Sequence, residues 1–261
     1  MRTHLRYSPI GFLCLAMCGL AFSVVTGCST AKKTNSKDIA LLHLQNGTRF
    51  FTNKKYPSAL TEFLEAEKLD PRNAVVQNNL ALTYFVRDRM ELAQKHIDLA
   101  LAINPSYTEA RNNRARILIE RGQFALAIQD AKKVTEDLTY QYPIRGWTNI
   151  ALAQFRMGNF KDAKATATEA LKVDRTNCFA QTVLGRSHLE ISEFKEAATT
   201  LDRAISACRT EGEDEAAYFA GVANYKLGRS AAAIARLEEV LKDYPQGRYA
   251  KKAESLLEII R

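Results

Sequence analysis

An all-α fold, a right-handed superhelix of six stacked helical hairpins closed by a C-terminal helix, is what this 261-residue sequence predicts. Three observations predict it. From residue 40 the chain repeats with a period of 34, so that 40–73 and 74–107 align without a gap. Matching positions hold matching residue types: Pro71 and Pro105, Ala59 and Ala93, Ala66 and Ala100, Phe50 and Tyr84. The register then continues through 108–141, 144–177, 178–211 and 214–247, broken only by two-residue insertions before the fourth and sixth copies.

Each element has a physical reason. Two helices that pack closely in a hairpin leave room only for Ala or Gly where they cross, and a larger side chain there would cost roughly 1–3 kcal/mol. The pattern places small residues at positions 8, 20 and 27, predicting helix A over about positions 1–14 and helix B over 15–28. Proline at 32 then stops helix B. The third copy keeps Ala115, Gly122, Phe124 and Ala127; the fourth keeps Trp147, Ala151, Gly158, Phe160, Ala163 and Ala170. The fifth keeps Leu184, Gly185, Phe194, Ala197 and Ala204, and the sixth Gly221, Gly228, Ala233 and Pro245. This pattern resembles the tetratricopeptide repeat. No single hairpin buries its apolar face alone, so neighbours must stack and the ends need caps. Tyr249, Ala250, Ala253, Leu256, Leu257 and Ile260, with Lys251, Lys252, Glu254 and Glu258 between them, predict a solvating cap helix over about 248–260 of the terminal segment 248–261.

The N-terminus reads as an export signal. Arg2 and Arg6 precede an apolar stretch from Ile10 to Val25, 16 residues long, against the ~20 that a membrane-spanning helix needs. Val25-Thr26-Gly27-Cys28 resembles the lipobox of bacterial lipoproteins, which implies removal of residues 1–27 and acylation of Cys28. The alternative is an ordinary secretory signal, with Cys28 an incidental thiol. Each buried CH₂ of an acyl chain contributes about 0.8 kcal/mol, so two or three chains on one residue hold a bilayer firmly. In families resembling this one, Asp after the cysteine marks retention at the inner membrane; Ser29 there implies the outer membrane, periplasmic face. Residues 28–39 are expected to be a lipidated, flexible linker, whose ten polar-rich residues after the cysteine have an r.m.s. span of roughly 17 Å.

Charge and composition exclude other classes. Loss of residues 1–27 removes two of the 37 basic residues and none of the 29 acidic ones, leaving a formal charge of +6. No Lys/Arg stripe with interleaved aromatics is present, so nucleic acid is not an expected partner. His4, His43, His96 and His188 are scattered without metal-ligand spacing and read as surface or groove residues. No phosphate-cradling loop or nucleophile elbow occurs, so no enzyme activity, cofactor, metal or small-molecule substrate is expected. Cys178 and Cys208 stand at positions 1 and 31 of the fifth repeat. Helices A and B run antiparallel, so these sulfurs could meet as a structural disulfide in an oxidising compartment; two reduced, buried cysteines are the alternative.

Binding has the better warrant. Helix A positions near 2, 5, 6, 9, 12 and 13 line the concave groove of such a superhelix. Position 6 is Gln45, Asn79, Asn113 and Asn149 in repeats one to four, and Asn78 and Asn112 precede two of these amides. Side-chain amides donate to and accept from an extended peptide backbone; alternatively they bond only the neighbouring repeat. Apolar groove candidates are Leu41, Leu44, Phe51, Val75, Leu82, Phe85 and Val86, some of which must face the core.

With the repeats, the lipobox and the cysteine pair, further details complete a family resemblance: Asn78-Asn79-Leu80-Ala81, Tyr142-Pro143 before Trp147 to Ala151, and Tyr244-Pro245 followed by a helix. The chain resembles the pilotins of type IV pilus secretins, the PilF/PilW/Tgl group of tetratricopeptide lipoproteins. It departs from them at Tyr84-Phe85, at Arg87-Asp88-Arg89 in place of a Gly turn, and at Arg111-Asn112-Asn113-Arg114. The resemblance implies an outer-membrane protein that binds secretin subunits and promotes their insertion and multimerisation. A lipoprotein adaptor of the same architecture serving β-barrel assembly or peptidoglycan synthesis is the alternative.

Overall fold

The structure, a computed structural model, describes residues 35–208 and 214–261. The expected signal segment, Cys28 and the linker up to residue 34 lie outside the described residues, as do 209–213. Thirteen α-helices and no strand are found among the described residues. Six pairs form the repeats: α1 (Ser36–Thr52) with α2 (Tyr56–Leu69), α3 (Ala74–Val86) with α4 (Met90–Ile103), α5 (Thr108–Glu120) with α6 (Phe124–Glu136). Then follow α7 (Ile144–Arg156) with α8 (Phe160–Val173), α9 (Cys178–Glu190) with α10 (Phe194–Cys208), and α11 (Glu215–Lys226) with α12 (Ser230–Asp243). Helix α13 (Ala250–Ile260) closes the stack.

Two boundaries differ from expectation. Helix α1 begins at Ser36, its first turn capped by the Asn35 side chain, so Ser36–Ile39 are helical and not linker. Helix B starts at position 17 of each repeat and usually ends at position 30, about two residues later than expected. The reason is the turn: position 15 adopts positive φ in all six repeats, at Lys54, Asp88, Gly122, Gly158, Ser192 and Gly228. A left-handed residue ends helix A and forces helix B to begin beyond it.

The small residues sit where the helices cross. Position 20 is Ala in every repeat (Ala59, Ala93, Ala127, Ala163, Ala197, Ala233), and each is fully buried. Position 8 is matched to position 24 across the hairpin. A Cβ on Gly47 would lie 2.5 Å from Phe63, on Gly185 2.5 Å from Leu201, and on Gly221 2.9 Å from Leu237. Repeats three and four even out the sizes, with Ala115 and Ala151 at position 8 and Ala131 and Ala167 at position 24. One volume is thus divided two ways.

The C-terminal end is sealed. Ala253 and Leu257 of α13 pack with Leu237, Val240 and Tyr249, and Tyr249 stacks on Tyr218 with centroids 5.0 Å apart. The Tyr249 amide donates to buried Asp214 at 2.7 Å, tying the cap to the start of repeat six. The other end is open among the described residues: Leu42, at the position where Val76 and Ala110 meet a preceding hairpin, is 56% exposed. His96 corrects the expectation for the histidines. It is buried, with Nδ1 2.7 Å from Gln77 Oε1 and its ring stacked on Tyr84, because α3 and α4 close over it. Desolvation holds its pKa below the ordinary value, against the pull of Glu67.

Candidate binding cleft

The first helices of successive hairpins touch one another, α3 with α5, α5 with α7, and α7 with α9, while the second helices pack against first helices. Helices A therefore form the inner wall. Along that wall lies a cleft of about 640 Å³, lined from α3 to the start of α9.

Of the residues expected to bind, Leu82, Phe85, Asn112, Asn113 and Asn149 line this cleft. Leu41 and Gln45 are exposed on α1 and do not line it, and Leu44 is a correction: it packs with Ala59, Phe63 and Leu80 in the core of the first hairpin. Phe51 is half-buried, set edge-on to Tyr56 at 5.4 Å. Asn79 is half-buried, and Asn78 is buried. Their neighbours explain the amides. Asn113 Nδ2 donates to Asn78 Oδ1 at 2.8 Å, and Asn149 Nδ2 to Asn112 Oδ1 at 2.8 Å. Position 6 of one repeat thus bonds position 5 of the repeat before it. A buried amide without a partner is costly, and these pair with each other, so the ladder aligns successive helices A rather than offering free amides.

Cys178 lies at the cleft's end and is joined by a disulfide to Cys208, with Cα atoms 5.1 Å apart. The bond links the start of α9 to the end of α10.

Several lining residues were not anticipated: Glu109, Arg116, Ile119, Glu120, Arg145, Thr148, Leu152 and Phe179. The apolar groove candidates of the sequence lie in repeats one and two. The same positions read in repeats three and four give Arg116, Arg145, Thr148 and Leu152. Arg116 stacks over Phe85, 5.3 Å from the ring centroid. Burial first, and then Arg145, push its pKa below the ordinary guanidinium value, while Glu109 and Glu120 pull the other way. Arg145 pairs with Glu109 at 2.9 Å and lies 4.5 Å over the Tyr142 ring. Tyr140 donates to Glu109, and burial followed by that bond raises the pKa of its hydroxyl. The described residues contain no group of three or more His, Cys, Asp or Glu suited to a metal. The wall offers apolar contact and cations to an elongated ligand.

Residues 44–108, 148–211 and 182–248 match the family profile described as Tetratricopeptide repeat, covering more than half of the chain. The chain belongs to the tetratricopeptide repeat family. Among solved tetratricopeptide structures, its fold is similar to PilW, a "widely conserved type IV pilus biogenesis factor", with a TM-score of 0.73 at 20% identity, over 82% of this chain and 97% of that one. It is likewise similar to Pseudomonas aeruginosa pilF, with a TM-score of 0.69 at 17% identity, over 84% and 98% of the two chains. At these identities the likeness is one of fold. RNA polymerase II-associated protein 3 of Homo sapiens is 33% identical over 95 residues, 36% of this chain and 14% of that protein. U-box domain-containing protein 70 of Oryza sativa subsp. japonica is 32% identical over 120 residues, 46% of this chain and 14% of that protein. These matches cover only 14% of either relative's own length.

Proposed function

We propose that this tetratricopeptide protein is an outer-membrane lipoprotein, held on the periplasmic face through acylated Cys28, that binds secretin subunits and promotes their localisation and multimerisation for type IV pilus biogenesis. The observation that carries this reading is the likeness to PilW, which spans 82% of this chain and 97% of that one. The lipobox-like Val25 to Cys28 supports it independently. In mechanism, the lipid confines the superhelix to the membrane while the cleft between α3 and α9 holds a secretin segment. Confinement raises the local concentration of subunits where the ring assembles, without any new contact.

The test is a chromosomal Cys28→Ala substitution beside a full deletion. Secretin multimers are followed on gels that preserve them, and the protein itself by envelope fractionation. The substitution is expected to release the protein from the outer membrane and reduce multimers; the deletion is expected to abolish them. Normal multimers in the deletion strain would falsify the secretin role. Normal fractionation of Cys28→Ala would remove the lipid anchor from the proposal.

A further inference from the structure

The second helices form the outer side of the stack, away from the cleft. In α4 the core takes Ala93, Ile97 and Ala100, at positions 20, 24 and 27, so positions 19, 22 and 26 lie on the opposite face. Those positions hold Leu92, Lys95 and Leu99, and both leucines are 40% exposed. In α6 they hold Leu126, Gln129 and Lys133, with Leu126 54% exposed. The other repeats keep this strip polar or small: position 19 is Ser58, Asp162, Glu196 and Ala232, and position 26 is Glu65, Glu169, Arg203 and Glu239. An apolar strip confined to two adjacent repeats is not a demand of the repeat fold, and it marks a contact surface.

A groove gives the strip depth. Between α4 and α6 opens a hollow of about 370 Å³, lined by Leu118 and Leu126 together with Gln94, Gln123 and Gln129. The acids around it are engaged: Arg114 joins Asp98 at 3.3 Å and Asp130 at 2.6 Å, and Arg121 lies 3.6 Å from Glu91. Among the described residues no carboxylate lies within ion-pair distance of Lys95, Lys132 or Lys133. The unspent charge of this face is therefore positive. A groove walled by helices has no free backbone donors or acceptors, so an extended segment would bury unpaired peptide groups there. A helix satisfies its own, and Leu92 and Leu99, two turns apart, match the spacing of a helix laid along α4.

We infer that this outer groove docks an acidic amphipathic helix of another protein, its apolar stripe on Leu92, Leu99 and Leu126 and its carboxylates against Lys95, Lys132 and Lys133. A second copy of the chain does not fit, because a twofold contact would set Lys95, between the two leucines of α4, against itself. Residues 1–34 do not fit either, since they carry Arg2, Arg6, Lys32 and Lys33 and no acid. A flat bilayer would leave the hollow unfilled. The inference is independent of what the cleft on the inner wall holds.

The test uses the full chain in phosphatidylcholine nanodiscs and fluorescence anisotropy with three labelled 18-residue peptides. The first is an amphipathic helix with a leucine stripe flanked by Glu, the second has Lys in place of every Glu, and the third is the first with two central prolines. The Glu helix should bind tighter than the Lys helix by about tenfold, and the proline peptide should lose binding. Leu99→Ser with Leu126→Ser should weaken the Glu helix by about tenfold. Lys95→Glu with Lys133→Glu should invert the preference toward the Lys helix, a gain that a misfolded variant cannot show. Equal binding of the Glu and Lys helices, a preference that the charge reversal leaves in place, or no binding at millimolar concentration overturns the inference. Displacement of the Glu helix by phosphatidylglycerol vesicles would assign the strip to a lipid surface, and dimers of the chain that Leu126→Ser dissolves would assign it to a second copy; either result overturns it as well.

Discussion

Repeats four to six and repeats two to four place an arginine at the same register on the same wall, Arg186 partly buried and Arg116 exposed, and only the former complete its surroundings. Arg186 is held between two rings and an acid, and that acid also accepts from the Tyr249 hydroxyl at 3.1 Å, so the cap participates. Arg116 has one ring and a like-charged neighbour. The same division recurs in what joins the helices. The C-terminal repeats use a disulfide, an aromatic cluster at Tyr218, Phe219 and Tyr249, and the Asp214 clasp. The central repeats use amides that face a cleft. In a solenoid each repeat is stabilised chiefly by its neighbours, so one end can be finished for stability while the middle is left incomplete for a ligand.

The largest expected effect falls on the finished end. Replacing both Cys178 and Cys208 by Ser frees a loop with a sequence separation of 30, and the chain-entropy account puts the loss at roughly 3–4 kcal/mol. Urea titration followed by circular dichroism should show it, and reductant on the parent protein should reproduce it. Unchanged midpoints would mean that the disulfide does not distinguish the two regions.

A paired substitution tests the arginines directly. The Arg186 and Glu215 side chains are 18% and 20% exposed, so Glu215→Gln leaves a largely desolvated cation without its counter-charge, at a cost of about 2 kcal/mol. Arg116→Gln removes a cation that no fixed acid neutralises, and stability should stay within about 0.5 kcal/mol of the parent. Equal losses in thermal melts would show that the two sites are energetically alike and dissolve the comparison.

Gly185→Ala sets two effects of opposite sign against each other. Helix propensity favours Ala by about 1 kcal/mol. The new Cβ would lie 2.5 Å from the Leu201 Cγ, and Leu201 is fully buried with nowhere to move. Overpacking of that kind costs roughly 1–3 kcal/mol and should prevail, giving a net loss of about 1 kcal/mol. A stabilised variant would show that α9 and α10 can part without penalty.

Repeat number, the small crossing residues and the cap were legible in the sequence because one side chain per turn decides each of them. Gly47, Gly185 and Gly221 announce their own contacts. The bonds of the amides were not legible as such. Asn78 and Asn113 are 35 residues apart, and which of two adjacent amides meets its neighbour depends on a rotation of one helix against the next that no periodicity reports. Leu44 was misplaced for the same reason, since position 5 of the first repeat turns toward Phe63 and not toward the cleft. The charge reversal between Arg145 and Glu215 was legible in principle, by comparing position 2 across repeats. It acquires meaning only once Arg116 and Arg186 are known to stack alike.

The smallest expected effect concerns the turns. Position 15 is left-handed in all six repeats, and Asp88 holds it with φ of 58° in repeat two, beside the cleft, where Gly228 holds it with φ of 73° in repeat six. A side chain at such φ costs on the order of 1–2 kcal/mol, less for Asp, whose short polar group is among the better tolerated there. Glycine removes that cost and adds entropy to the unfolded chain, which returns part of the gain. Asp88→Gly should therefore stabilise by about 0.5 kcal/mol, and Lys54→Gly in repeat one by somewhat more, because lysine has no local hydrogen bond with which to offset the strain. Chemical denaturation resolves that order. If Asp88→Gly destabilised the protein, the aspartate would be holding the turn between α3 and α4 through its side chain, and the edge of the cleft would depend on it.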